Sequence, residues 1–223
     1  MKKSFIISMI ITLITAAIAI WVIMTTEGEI PVNWNLAGEV DKYGSPFTLL
    51  MFPGIAFFTT LLMYFLPNID PKGENIKKSG PLLPILMVLV AALMLGIQLF
   101  IVMAIKASDG FNMTFTMTLF VSMFIGIIFI ILGHYMPRVK HNYMMGIRNP
   151  WTLYSEDVWN KTHKVSKNWL IAAGVLFLIC IFLKVPYNLI IPFIFLAVIL
   201  IGLVVYSYIA FAEDKKKKSK KIK

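Results

Sequence analysis

Apolar residues gather into six long runs separated by polar segments. The runs are Phe5 to Met24, Phe47 to Leu66, Leu82 to Ile105, Thr114 to Leu132, Trp169 to Leu183 and Leu189 to Phe211. Together they hold 121 residues without one Asp, Glu, Lys, Arg or His. Five approach or exceed the roughly 20 residues a helix needs to cross about 30 Å of hydrocarbon. The fifth run has 15. It spans if Trp169 anchors at one interface, Lys184 snorkels at the other and the preceding turn dips into the membrane. Before it, Ser155 caps a helix whose first turn holds Glu156 and Asp157, at the positive end of the dipole. Val158, Thr162, Val165 and Trp169 then fall on one face with Trp159 flanking, and Asn160, Lys161, His163, Lys164 and Lys167 on the other. The pattern predicts an all-α integral membrane bundle of six transmembrane helices, with an amphipathic interfacial helix running into the fifth span.

Composition agrees: 59% of the 223 residues are hydrophobic and 14% charged, too little charge to cover a soluble core of this kind. The first run has the layout of a secretory signal, with Lys2 and Lys3 ahead and Ala17-Ile18-Ala19 within. It stays apolar through Met24, where a cleavable signal turns polar, so it reads as an uncleaved helix. The net charge of +10 suggests nucleic acid until the basic residues are placed. With the N-terminus in the cytoplasm, 18 fall on inner segments, and only Lys42, Lys106 and Lys184 fall outside. That bias predicts both termini inside, and it makes the Lys215 to Lys223 tail an orientation signal and a contact for membrane lipids, with no direct nucleic-acid role. Cys180 alone excludes an intramolecular disulfide and a multi-cysteine metal cage.

Two polar segments carry the candidate chemistry. The first outer segment, Thr25 to Gly44, has Glu27, Glu29, Glu39 and Asp41 against one lysine. Pro31, Asn33, Asn35, Gly38 and Gly44 make it turn-rich. It reads either as a compact cap with Trp34 and Tyr43 at the headgroup level, or as a docking surface for an extracellular cationic ligand. Its carboxylates do not follow a calcium loop. The inner segment, 133 to 168, holds all three histidines, His134, His141 and His163. No HExxH-type spacing joins them, so solvated or interfacial imidazoles are expected, with no metal and no cofactor. Arg148 beside Pro150-Trp151 suits a lipid phosphate or an acid.

Read together, these segments resemble the SdpI immunity-protein family of bacterial multi-pass membrane proteins. The inner signature is Pro137, Asn142, Gly146-Ile147-Arg148, Pro150-Trp151-Thr152-Leu153, Val158-Trp159 and Thr162-His163. The outer one, Ile30-Pro31, Trp34-Asn35, Gly38, Asp41 and Tyr43-Gly44-Ser45, looks like the N-terminal domain often fused to that family. The chain departs at Asn149, where Thr is common, at Asn33, where His is common, and at Pro46, where Lys is frequent. The resemblance implies protection against a secreted antimicrobial peptide toxin. The best-known member of the family also senses its toxin and holds a small cytoplasmic helix-turn-helix repressor at the membrane, a partner the motif alone does not carry over to this chain. On an immunity reading the acidic outer surface captures the toxin, and the expected toxin-facing residues are Trp34, Asn35, Gly38, Asp41 and Tyr43. The inner signature residues are Pro137, Asn142, Gly146, Arg148, Pro150, Trp151, Thr152, Trp159, Thr162 and His163.

The expected organisation is an N-terminal membrane region over 1–105, an SdpI-like membrane region over 106–211 and a basic cytoplasmic tail over 212–223. A transporter or exporter is the alternative, disfavoured because the spans offer no charge, only Gln98, scattered Ser and Thr, and Pro53-Gly54 in the second helix. A membrane enzyme needs a paired nucleophile and base, an aspartyl pair or a zinc helix, and the spans contain none. Glu156, Asp157 and His163 are more economically a solvated helix face than an acid/base group.

Overall fold

The computed structural model describes residues 1–35, 40–106, 113–184 and 186–222. Its elements are α1 (Lys2–Thr25), β1 (Ile30–Trp34), β2 (Val40–Gly44), α2 (Met51–Ile69), α3 (Gly73–Lys78), α4 (Leu82–Lys106), α5 (Met113–Tyr135), α6 (Pro150–Tyr154), α7 (Glu156–Cys180) and α8 (Tyr187–Ile222). Among the described residues five helical segments are long and apolar enough to cross a membrane: Lys2–Thr25, Pro46–Ile69, Leu82–Lys106, Leu119–Arg138 and Tyr187–Ser219. They coincide with five of the six expected runs. The remaining run, from Trp169, is the second half of α7, whose first half carries the lysines, so one helix holds both the amphipathic and the apolar stretch.

The chain divides into two compact units. The first comprises Met1–Phe65 and Leu83–Phe124, the second Leu66–Leu82 and Ile125–Lys223. In the first unit α1 buries Ser8, Thr12, Thr15, Ala19 and Val22, spaced three and four apart on one face. Small side chains there let helices approach closely, which in lipid replaces the hydrophobic effect as the source of packing energy. Thr12 and Thr15 return their hydroxyl protons to the carbonyls of Ser8 and Ile11, both at 2.8 Å. Gln98 of α4 is fully buried and donates from Nε2 to the Thr15 carbonyl at 2.8 Å.

The outer segment is not turns alone. Strands β1 and β2 pair antiparallel, with Ile30 opposite Gly44 and Trp34 opposite Val40, and the register is irregular on either side of Asn33. This hairpin is a small β element added to an otherwise helical chain. Its inner face, Ile30 with Val32 and Trp34, packs on a core of Ala19, Val22, Leu49 and Ile101. Burying that face stabilises a hairpin too short to stand alone.

In the second unit α5 and α7 meet across glycines. A Cβ on Gly126 would sit 2.8 Å from the Gly174 carbonyl oxygen, and one on Gly133 would sit 2.7 Å from that of Lys167. α7 and α8 share a core of Ala173, Phe177, Leu196, Ile199 and Leu203. Phe129 stacks on Phe177 with ring centroids 6.1 Å apart.

Candidate functional site

Between α5 and α7 the chain makes no long regular element, yet the buried polar side chains there, His141, Asn142, Thr152 and Ser155, are all hydrogen-bonded. α5 ends in a short 3-10 turn, Met136–Arg138, where Pro137 sits at the start and is exposed. Asn142 is fully buried and is the loop's staple. Its Oδ1 accepts from the backbone N–H groups of Met144 (2.9 Å) and Met145 (2.6 Å), and its Nδ2 donates to the carbonyls of Lys140 (2.8 Å) and Met145 (3.0 Å). Arg148 is exposed and donates to the Tyr143 carbonyl at 2.6 Å, bracing the same turn from outside.

The loop closes on α7. Trp159 is fully buried and donates its indole N–H to the Val139 carbonyl at 2.8 Å. His163 lies one turn further along, its ring stacked on Trp159 at 4.1 Å and 19°. Its Nδ1 faces the Trp159 carbonyl at 2.8 Å and its Nε2 faces the Ile147 N–H at 3.0 Å. A carbonyl only accepts and an N–H only donates, so the ring must carry its proton on Nδ1 and accept at Nε2. Burial drives the His163 pKa down to about 4; the Trp159 carbonyl opposes that and His141 adds to it. The tight approach also dictates Gly146. Its φ is +112°, and a Cβ there would run into His163 Nε2 and the Trp159 ring.

His141 completes the knot from the other side of Trp159, edge-on at 5.0 Å. Its Nε2 donates to the Leu153 carbonyl at 3.1 Å, and its Nδ1 accepts from the Lys72 ammonium at 2.6 Å. Lys72 belongs to the segment around α3, which docks along the loop. Asp70 accepts from the Tyr143 N–H at 2.8 Å, Asn75 donates to the His141 carbonyl at 2.7 Å, and Ser79 Oγ accepts from the Lys140 N–H at 2.9 Å.

Further along, Asn149 caps α6: its Oδ1 accepts from the Thr152 N–H at 2.9 Å, and Thr152 Oγ1 answers the Asn149 N–H at 3.0 Å. Pro150 occupies the first helical turn and is exposed. α6 lies against α8, where Asn149 donates to Ser207 Oγ at 2.7 Å and Trp151 meets Tyr208 edge-on at 5.3 Å. Ser155 holds the N-cap position of α7, but its hydroxyl does not cap. It donates to Asp214 of α8 at 2.8 Å, and Asp214 pairs with Lys218. Thr162 is fully buried, with no hydrogen-bond partner for its hydroxyl among the described residues.

Residues 138–209 match the SdpI/YfhL protein family, and residues 10–57 match a domain of unknown function (DUF1648). The chain is 24% identical over 216 residues to the immunity protein SdpI of Bacillus subtilis (strain 168), which covers 97% of this chain and 98% of the relative. The chain is thus similar to the SdpI/YfhL family over 138–209, about a third of its length. No solved structure matches it.

The SdpI match contains almost the whole knot and the α6–α8 contacts, but not Asp70, Lys72, Asn75 or Ser79, which precede it. The sequence reading passed over those four. An Asp-Pro-Lys-Gly turn at residues 70–73 was the local signal, and nothing local named the partner some 70 residues away. Two of the three imidazoles correct the solvated expectation: His141 and His163 are 5% and 1% exposed, whereas His134 is exposed. Both ring nitrogens of His163 are engaged by backbone, which removes it from any acid/base group with Glu156 and Asp157. Trp169 is half exposed, so the buried face of α7 runs through His163, Ser166 and Leu170 instead.

The outer residues lie in the other unit, within or next to the DUF1648 match. Trp34 turns inward, edge-on to Phe100 at 5.6 Å. Asp41 is exposed and accepts from Asn33 Nδ2 at 3.1 Å, Tyr43 is 54% exposed, and Asn35 is exposed. Gly38 and Glu39 lie outside the described residues.

Proposed function

We propose that this chain is a non-enzymatic immunity protein of the bacterial cell membrane, conferring resistance to a secreted antimicrobial peptide toxin. The observation that carries the reading is the end-to-end similarity to the immunity protein SdpI, 97% of one chain against 98% of the other. In this reading α7 supplies a sixth span from Trp169, and the 18 to 3 distribution of basic residues puts both termini and the knot in the cytoplasm. The outer hairpin then presents Asn35, Asp41 and Tyr43, with Glu27 and Glu29 nearby, as an acidic face for a cationic peptide. Trp34 serves as the anchor that holds the hairpin on its core.

Toxin sensing is a second layer of the proposal. Binding outside changes the inner loop only if the toxin prefers one of two pre-existing arrangements. A small cytoplasmic helix-turn-helix repressor would then be held on the loop in one arrangement and released in the other. Transport is the competing reading, and one observation favours it: Gln98, fully buried in α4, leaves its Oε1 without a partner among the described residues.

The test is expression of the full chain in a toxin-sensitive bacterial host, challenged with a panel of secreted antimicrobial peptides, with membrane levels checked by immunoblot. Survival against at least one peptide, lost in an Asp41→Lys variant of equal abundance, is expected. Killing by every peptide at wild-type rates overturns the proposal. Uptake or efflux of a peptide by proteoliposomes, abolished by Gln98→Leu, would transfer support to transport.

A further inference from the structure

α8 continues well past its apolar stretch. Its 36 residues make a rod of about 54 Å against about 30 Å of hydrocarbon, so the turns after Phe211 emerge from the apolar layer. One flank of that emerging end is an open cleft of about 650 Å³ along α8 itself, lined by Tyr208, Phe211, Ala212, Ser219 and the lysines 215 to 217. Its aromatic floor is braced from behind. Tyr208 lies edge-on to Trp151 at 5.3 Å, and Phe211 lies edge-on to Tyr154 at 5.2 Å.

The lysines of the cleft outnumber the two carboxylates beside them, Glu213 and Asp214. Asp214, on the same helix end, is 5% exposed and already occupied: it takes the Ser155 hydroxyl at 2.8 Å and the Lys218 ammonium at 2.8 Å. Among the described residues Lys215, Lys216 and Lys217 have no ion-pair partner. The cleft therefore combines three free ammonium groups and a hydroxyl above an aromatic shelf at the level where α8 leaves the hydrocarbon. That order, cationic and then apolar along the membrane normal, is complementary to a phospholipid with a net negative headgroup.

We propose that this cleft is a binding site for one anionic phospholipid, its phosphate held by Lys215, Lys216 and the Ser219 hydroxyl and its glycerol and first acyl carbons resting on Tyr208 and Phe211. The site stands apart from the toxin reading, and failure to protect cells would leave it intact. Because the same two rings carry Trp151 and Tyr154, the bound lipid also supports α6 and the end of the signature loop.

A built site must be distinguished from the diffuse attraction that any lysine tail feels near an anionic surface, about fivefold per lysine. The full chain in detergent is titrated with phosphatidylglycerol, phosphatidylcholine or inorganic phosphate and read by native mass spectrometry. A triple Lys215→Gln, Lys216→Gln, Lys217→Gln variant is compared with a charge-matched triple of Lys220→Gln, Lys221→Gln, Lys223→Gln. The proposal expects one phosphatidylglycerol bound at least about tenfold more tightly than phosphatidylcholine. That preference is lost in the first triple, kept in the second, and weakened in Phe211→Ala, whose folding is checked by size exclusion. Equal losses in the two triples, no preference between the lipids, or competition by inorganic phosphate as strong as by lipid overturns it.

Discussion

Acidification should open the knot, and by a calculable amount. His163 has an ordinary value of 6.5 and, folded, about 4. The opened loop therefore takes up a proton below pH 6.5 that the closed loop refuses until about pH 4. Stability of the closed form is complete above 6.5, declines as pH falls through that window and levels off below 4. The 2.5-unit gap corresponds to about 3 kcal/mol, or roughly two orders of magnitude in the opening equilibrium. The physical reason is visible in the geometry: a second proton on Nε2 would face the Ile147 N–H at 3.0 Å, donor against donor. Hydrogen exchange of peptides covering 140–150, corrected for the intrinsic rate at each pH, reads the opening directly. A His163→Leu variant removes the titration. It should start with lower protection, because the Ile147 N–H is orphaned, and then stay flat with pH. Wild-type protection that is equally flat between pH 6.5 and 4 would refute both the tautomer and the role given to burial.

Gly146→Ala should destabilise the knot by about 2 kcal/mol or more, combining a strained φ with overlap on His163, seen as a lower midpoint in tryptophan-fluorescence melting. Asn142→Ala strands two N–H groups and two carbonyls, and should lose about 2–4 kcal/mol of local stability by exchange at Met144 and Met145. Asn149→Ala should weaken the α6 region by about 1–2 kcal/mol, losing the cap and the bond to Ser207, while Asn149→Thr keeps the cap and loses only the Ser207 bond, about 1 kcal/mol. Asp70→Ala should release the Tyr143 N–H to exchange while leaving the Ile147 N–H protected, because the two rest on different partners.

Five long apolar helices were legible because an uncharged run of about 20 residues has few other readings. The hairpin was not. Five-residue strands containing Pro31 and Asn33 carry the same residues as turns, and what makes them strands is a core on α1 and α4 that no local window contains. His163 was misplaced for a related reason: a helical wheel sorts residues by type and set it with the lysines, but an imidazole whose two nitrogens both meet backbone can be buried. Ser155 was placed at the right cap position and given the wrong partner, since Asp214 is 59 residues away. The resemblance marked Gly146, Trp159 and His163 without a geometry, and their mutual contacts supply one.

The loop's two kinds of attachment bear on how a signal could reach it. Inside the knot, Trp159, His163 and Gly146 interlock while Asn142 ties the turn before them, and a partly broken network of this sort is worse than either extreme. It should open as one unit. The attachment through Asp70, Lys72, Asn75 and Ser79 is different, because each bond there joins the loop to the short connection between α2 and α4, and those four can part together without opening the interior. A displacement of α2 or α4 would therefore be felt first at Tyr143, His141 and Lys140. Exchange at Tyr143 should then respond to an outer ligand before exchange at Ile147 does. The reverse order would place the switch inside the knot.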